Sequence, residues 1–184
     1  MASNPTPGDF ATCDLSDAHK NDSDGAFRVL PPVFRSFGGR LRFAGRVSTI
    51  KCFEDNSLVK TALDQPGQGR VLVVDGGASL RRALVGGNLG AAAVRNGWAG
   101  VVVDGAVRDV AELAALDLGI RALAPMPLPT EKSNEGQRDV PVVIQGVIVR
   151  PGEWLYADED GIVVMPSPAR TWRPLNDHCR SPYP

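Results

Sequence analysis

Arg108 and Asp109, with Glu112 three residues further on, are the residues in this chain best suited to chemistry on a small anion. A guanidinium presents a rigid fork to a carboxylate or phosphate. A single carboxylate can hold a hard divalent cation that keeps its waters, so an Arg beside an Asp can orient an anionic substrate and a metal ion together. The same spacing also has a plainer reading, because Asp at a helix start followed by Glu at i+3 is a capping arrangement that favours the helix dipole. A second chemical feature is the glycine-led stretch Gly86, Gly87, Asn88 and Leu89, whose bare backbone N–H groups suit a carboxylate or phosphate. Neither GGASL (76–80) nor GGNLG (86–90) fits GxGxxG or a P-loop, which excludes dinucleotide and nucleoside triphosphate binding at these positions.

The elements that must position these residues alternate between strand and helix. Residues 71–74 (VLVV) and 101–103 (VVV) read as strands buried on both faces, each running into Asp-Gly. The two ends, VVDGG and VVDGA, form a short local echo and not a repeat, since the residues beyond them diverge. Residues 79–97 read as helical pieces broken at Gly86-Gly87, with Leu89, Ala92, Ala93 and Val94 towards the sheet. Residues 109–116 read as a helix with Val110, Leu113, Ala114 and Leu116 on its apolar side, and residues 119–123 as the next strand. Two successive βαβ crossovers imply a partly parallel core, and ligands of open α/β sheets bind beyond the carboxyl ends of such strands.

Upstream, Thr12, Asp14, Ser16 and Asp17 offer N-caps for a short helix towards Asp22. Residues 43–53 read as a strand with a bulge at Gly45, and Asn56 as the cap of a helix that buries Val59, Ala62 and Leu63. Residues 125–139 are a Pro-rich loop longer than usual connections. Beyond it the pattern is all-β, with strands at 140–144, 147–149, 154–157 and 162–165. The DEDG at 158–161 lacks EF-hand spacing and reads as a structural turn. The domain organisation is thus a flexible arm (1–9), one α/β domain (10–166) and a Pro-rich tail (167–184).

A formal net charge of −1, from 20 basic and 21 acidic residues, gives no electrostatic basis for a bound polyanion, which excludes direct nucleic-acid binding as an expectation. No apolar run reaches a membrane span, and MASNPTPGDF carries neither the basic nor the apolar part of a secretory signal. Cys13, Cys52 and Cys179 show no CxxC spacing and read as free thiols, and two histidines cannot build a His-rich zinc site. The expectation is a soluble cytoplasmic protein.

Six stretches carry a resemblance to a known family: CDLSDA (13–18), SFGGRLRFAGRVSTIKCFEDN (36–56), GRVLVVDGGASLRRALVGGNLG (69–90), NGWAGVVVDGAVRDVAEL (96–113), DLGIRAL (117–123) and GEWLYADEDGIVV (152–164). In order and spacing the chain resembles the family named for the regulator of ribonuclease activity A (RraA-like), which also contains the 4-hydroxy-4-methyl-2-oxoglutarate aldolases. The resemblance implies an α/β domain with a mixed sheet or β-barrel-like core and flanking helices, of the swivelling β/β/α kind. It also implies a homotrimer, with the option of a dimer of trimers, whose sites lie between subunits. It further implies a pyruvate aldolase and oxaloacetate decarboxylase dependent on Mg²⁺ or Mn²⁺. In that reading Arg108 holds the pyruvyl group and its enolate, Asp109 the metal, and Gly86, Gly87, Asn88 and Leu89 the substrate through their backbone. Glu112 lends support through water or caps its helix. Gly87 stands where many aldolases have an acidic residue, and the tail offers no clear counterpart to the carboxylate some members draw from a neighbour's C-terminal segment. The other activity found on this scaffold is non-catalytic inhibition of a ribonuclease of the ribonuclease E kind, or of an RNA helicase. Regulators of that kind lack the Asp that this chain keeps at 109. A third label, a methyltransferase of menaquinone synthesis, finds no S-adenosylmethionine loop in these residues.

Overall fold

A computed structural model describes residues 10–169; the expected arm, and the expected tail beyond its first three residues, lie outside them. The chain opens with helix α1 (Thr12–His19) and two short strands, β1 (Arg28–Val29) and β2 (Arg35–Ser36). It continues through β3 (Phe43–Lys51), α2 (Ser57–Leu63) and β4 (Val71–Asp75). Next come β5 (Ala83–Val85), α3 (Gly87–Arg95), β6 (Gly100–Val107), α4 (Val110–Ala114) and β7 (Gly119–Pro125). The last strands are β8 (Gln137–Arg138), β9 (Val142–Ile144), β10 (Val147–Val149), β11 (Trp154–Ala157) and β12 (Ile162–Met165).

Ten of the strands form one curled mixed sheet in the order β1-β12-β11-β3-β4-β6-β7-β2, with β5 on β6 and β8 on β3. The centre, β3-β4-β6-β7, is parallel, as the two crossovers require, and the flanks are antiparallel. Side chains of a strand alternate between faces, and here both faces are covered. Leu72, Val74, Val101 and Val103 enter the core under α2, α3 and α4, whereas Val71, Val73 and Val102 enter a second core under β9 and β10. That is why these runs are apolar at every position. A third cluster packs Leu15 of α1 and Phe10 against Tyr156, Val163 and Met165. No described helix is long and apolar enough to cross a membrane. Cys13 and Cys52 are free thiols, as expected, and Cys179 lies outside the described residues.

Several local expectations are corrected. Helix α1 starts at Thr12, earlier than expected, and none of the four candidate side chains caps it; Thr12 instead donates its N–H and hydroxyl to Asp158, at 2.7 and 2.6 Å. Gly45 makes no bulge. It pairs in register with Leu155, and a side chain there would strike the Gly69 carbonyl. Asn56 does not cap α2 with its side chain but donates to Leu84 O at 3.1 Å, and Asp55 accepts from Ser57 N at 2.7 Å. Burial pushes the Asp55 carboxyl up, but hydrogen bonds from the Ser57 hydroxyl and from the N–H groups of Glu135, Ser57 and Ser133 outweigh it and hold its pKa at about 2. Those bonds tie the long 125–139 segment to the start of α2.

The stretch expected as helix from 79 to 97 holds a strand, β5, before α3 begins at Gly87, and Val94 faces outwards. Strand β6 does not stop at Asp104-Gly105 but runs on to Val107. The echo of VVDGG and VVDGA therefore has a structural meaning, because it sets Asp75 and Asp104 side by side, in register on β4 and β6, only 7% and 4% exposed. Both hold the β9–β10 hairpin: Asp75 accepts from Val143 N at 3.4 Å, and Asp104 from the Gln145 side-chain amide at 2.7 Å.

Burial, aided by the charge of Asp75, raises the Asp104 pKa against the two hydrogen bonds from Gln145. The folded state thus keeps this proton to higher pH than the unfolded chain, and stability falls as pH rises through and above the carboxylate range. Relative to wild type, the thermal midpoint of Asp104→Asn is expected to gain as pH rises through and above the ordinary carboxylate value of about 3.9, measured by thermal unfolding at each pH.

Candidate active site

Strand β6 delivers Arg108 and Asp109 beyond its carboxyl end, and β5, parallel to it, delivers Gly86. The two connections are fastened by the Arg108 N–H, which donates to Val85 O at 2.9 Å. Asp109 takes the left-handed conformation, φ 56° and ψ 46°, which ends the strand and turns the chain into α4. Few side chains tolerate that region, and Asp is one of them.

Asp109 stands at the N-cap position of α4, yet its carboxylate caps nothing in that helix. Its Oδ2 accepts the Gly87 N–H at 3.0 Å, which caps α3 from outside, and its Oδ1 accepts from Arg108 Nε at 3.2 Å. The carboxyl is held below the usual carboxylate range, first by the Gly87 N–H and then, against partial burial, by the Arg108 guanidinium. About a third of each side chain is open to solvent, 37% for Arg108 and 32% for Asp109.

Both glycines lie in close approach to the side chains around them. A Cβ on Gly86 would lie 2.7 Å from Asp109 Oδ2 and 2.9 Å from Arg108 Cγ, and one on Gly87 would overlap the Glu112 carboxylate. Arg108, Asp109, Glu112, Gly86 and Gly87 are therefore brought together. The first hydrogen bond within α3 runs from Gly90 N to Gly86 O, so the N–H groups of Asn88 and Leu89 have no acceptor inside the helix. The Asn88 side chain is exposed, whereas the Leu89 side chain packs on the core and leaves only its backbone to the site.

Among the described residues no group of three or more His, Cys, Asp or Glu is arranged to hold a metal ion. The donor set is one ionised, solvent-accessible carboxylate, Asp109, with a second, Glu112, across Gly87. This suits Mg²⁺ or Mn²⁺ shared with a chelating substrate and water, and does not suit an all-protein cage. The sequence reading missed β5 and the left-handed Asp109. The signal for β5 was the apolar triplet Ala83-Leu84-Val85, too short to be told from a helical turn.

Comparison with known proteins identifies the family. A family model described as "RraA-like: Aldolase/RraA" matches residues 12–164. The chain belongs to this family. A relative from Albidiferax ferrireducens, named "Putative 4-hydroxy-4-methyl-2-oxoglutarate aldolase", is 71% identical over 163 residues, covering 84% of this chain and 94% of its own. Among solved structures, the RNA-processing inhibitor RraA of Thermus thermophilis superposes with a TM-score of 0.83 at 51% identity, over 89% of this chain and 97% of that one. A Geobacillus kaustophilus protein described as an S-adenosylmethionine:2-dimethylmenaquinone methyltransferase superposes with a TM-score of 0.80 at 40% identity, over 85% and 94%. The half-barrel built on a curled mixed sheet with few helices is the fold of the family.

Gly86→Ala is expected to fold and to push the Asp109 carboxylate off the Gly87 N–H. Its pKa then rises towards the ordinary value of about 3.9, read by carboxyl NMR titration against wild type.

Proposed function

We propose that this chain is a divalent-metal-dependent pyruvate aldolase that cleaves 4-hydroxy-2-oxoacids of the 4-hydroxy-4-methyl-2-oxoglutarate type and also decarboxylates oxaloacetate. The observation that carries the reading is the Arg108–Asp109 pair clamped on the glycine-led backbone at the end of β6. The name of the 71% identical relative supports the same activity.

In the retro-aldol direction the C4 hydroxyl loses its proton, the C3–C4 bond breaks, and its electron pair stays on C3 as the pyruvate enolate, which is then protonated. Oxaloacetate gives the same enolate when its C3–C4 bond breaks and carbon dioxide leaves. A bound divalent cation supplies Lewis-acid stabilisation of the enolate charge. Asp109 is the residue that would hold it, its carboxylate form further favoured by the Gly87 hydrogen bond. Arg108 binds the oxoacid carboxylate or enolate oxygen through charge-assisted hydrogen bonds, its guanidinium aimed by the contact between its Nε and Asp109. The N–H groups of Asn88 and Leu89 orient the remaining carboxylate of the substrate. In this reading Glu112, which lies against Gly87, lends support through water.

Pyruvate release from oxaloacetate is the direct measurement. Wild type is expected to need Mg²⁺ or Mn²⁺, Arg108→Ala to lose on the order of 10²–10³ in rate, and Asp109→Ala to lose its response to metal. Equal rates with and without metal, or a folded Asp109→Ala as active as wild type, would sink the catalytic reading.

The second reading, a regulator that binds a ribonuclease or helicase, is favoured by the 51% identical RNA-processing inhibitor structure. A stoichiometric complex with a purified ribonuclease of the ribonuclease E kind, together with absent lyase activity, would put it first.

Self-association as a trimer belongs to the same proposal. Phe53, Leu80 and Leu128 are exposed, Phe53 by 60%, on loops that meet around residues 77–83, where Ala83 N donates to Leu128 O and Arg81 covers the Phe53 ring. Sedimentation equilibrium is expected to give a trimer for wild type and a smaller species for Phe53→Asp.

A further inference from the structure

We infer that the end of the sheet opposite Arg108 carries a second ligand site, which takes a small oxyanion bearing a phosphate or carboxylate group. The site is a cavity of about 150 Å³ lined by Ser48, Arg70, Trp98, Arg138 and Asp139. That is well below the ~300–1,000 Å³ of pockets for drug-sized ligands, and it suits an ion of a few heavy atoms. Arg70 and Trp98 precede β4 and β6, whereas Arg108 follows β6, so the eight residues of β6 hold the two sites roughly 25 Å apart at about 3.3 Å per residue.

Arg70 is fixed before any ligand arrives. Its Cζ lies 5.0 Å from the centre of the Trp98 ring, Nε donates to Gly67 O at 2.9 Å, Nη2 to Pro66 O at 2.9 Å, and Nη1 to Ser48 Oγ at 3.0 Å. A guanidinium has five N–H donors, so two remain. Ser48, 8% exposed, accepts from Arg70 and so keeps its own O–H to donate. Trp98 is held in turn by its Nε1, which donates to Gln65 O at 3.1 Å.

Arg138 reaches the same cavity from β8, and among the described residues its side chain donates to the amide oxygen of Gln65 at 3.5 Å. Among the described residues neither Arg70 nor Arg138 forms an ion pair with a carboxylate, which leaves both guanidinium groups able to take an anion. Two guanidinium groups and one carboxylate, Asp139, leave the cavity with a surplus positive charge. Arg70 is partly buried and Arg138 exposed, and an oxyanion between them would gain charge-assisted hydrogen bonds from both. It would join β8 of the 125–139 segment to the sheet at Arg70. Bound ligand therefore stabilises the fold by linkage.

The test follows the indole N–H resonance of Trp98 and the thermal midpoint of the full chain during titration with inorganic phosphate, and in a separate arm with acetate, at constant ionic strength. A saturable shift of Trp98 with a higher midpoint is expected, with apparent affinity at least about tenfold weaker in Arg138→Gln and unchanged in Arg108→Gln. A response to phosphate assigns a phosphate group, and a response to acetate alone assigns a carboxylate. The proposal fails if neither anion moves Trp98, if Arg138→Gln responds as wild type does, or if the response disappears in Arg108→Gln. Pyruvate release plays no part in these readouts, so they stand or fall independently of the aldolase reading.

Discussion

Strand β6 has no face that meets water, and that constraint organises the molecule. Both of its faces are covered, by helices on one side and by the β9–β10 hairpin with its neighbours on the other, so its side chains are committed to packing. Polar groups along it have to be satisfied from outside, as Asp104 is by Gln145, or moved beyond its ends. The carboxyl end carries Arg108 and Asp109, and the amino end is preceded by Trp98 and, on the neighbouring chain turn, Arg70. Chemistry at the ends of a dry strand is the cheapest arrangement for such a sheet.

The site at the carboxyl end depends on one hydrogen bond that joins two crossovers. Asp109 closes the β6–α4 connection, yet its carboxylate terminates α3, the helix of the preceding crossover. A carboxylate at a helix start is favoured by the dipole and by unpaired N–H groups, and the same bond lowers its pKa. Gly86 and Gly87 follow from this: the space their side chains would need is taken by Arg108, Asp109 and Glu112. The Glu112 carboxylate lies against the backbone of Gly87.

Much of this was legible in the chain. The βαβ grammar, the buried strands and the all-β end follow from periodicity and β-branched content, which act over a few residues. The Arg-Asp pair and the glycine-led loop were visible as residue types. The misreadings share one cause, competition from distant partners. Thr12 gives up capping for the buried Asp158, Asn56 for Leu84 O, and Asp109 caps α3 through Gly87 in place of α4. Strand β5 was hidden for the same reason, since three residues hold no period and only the edge of β6 makes them a strand.

By itself the sequence determined which segments are apolar on two faces, which residues carry charge, and hence the fold class and the candidate pair Arg108–Asp109. Only the tertiary structure decided that Asp109 caps the other helix, that Asp75 and Asp104 lie side by side, and that Arg70 and Arg138 share a cavity. Those are contacts between residues that chain distance does not couple, and strand register alone brings them together.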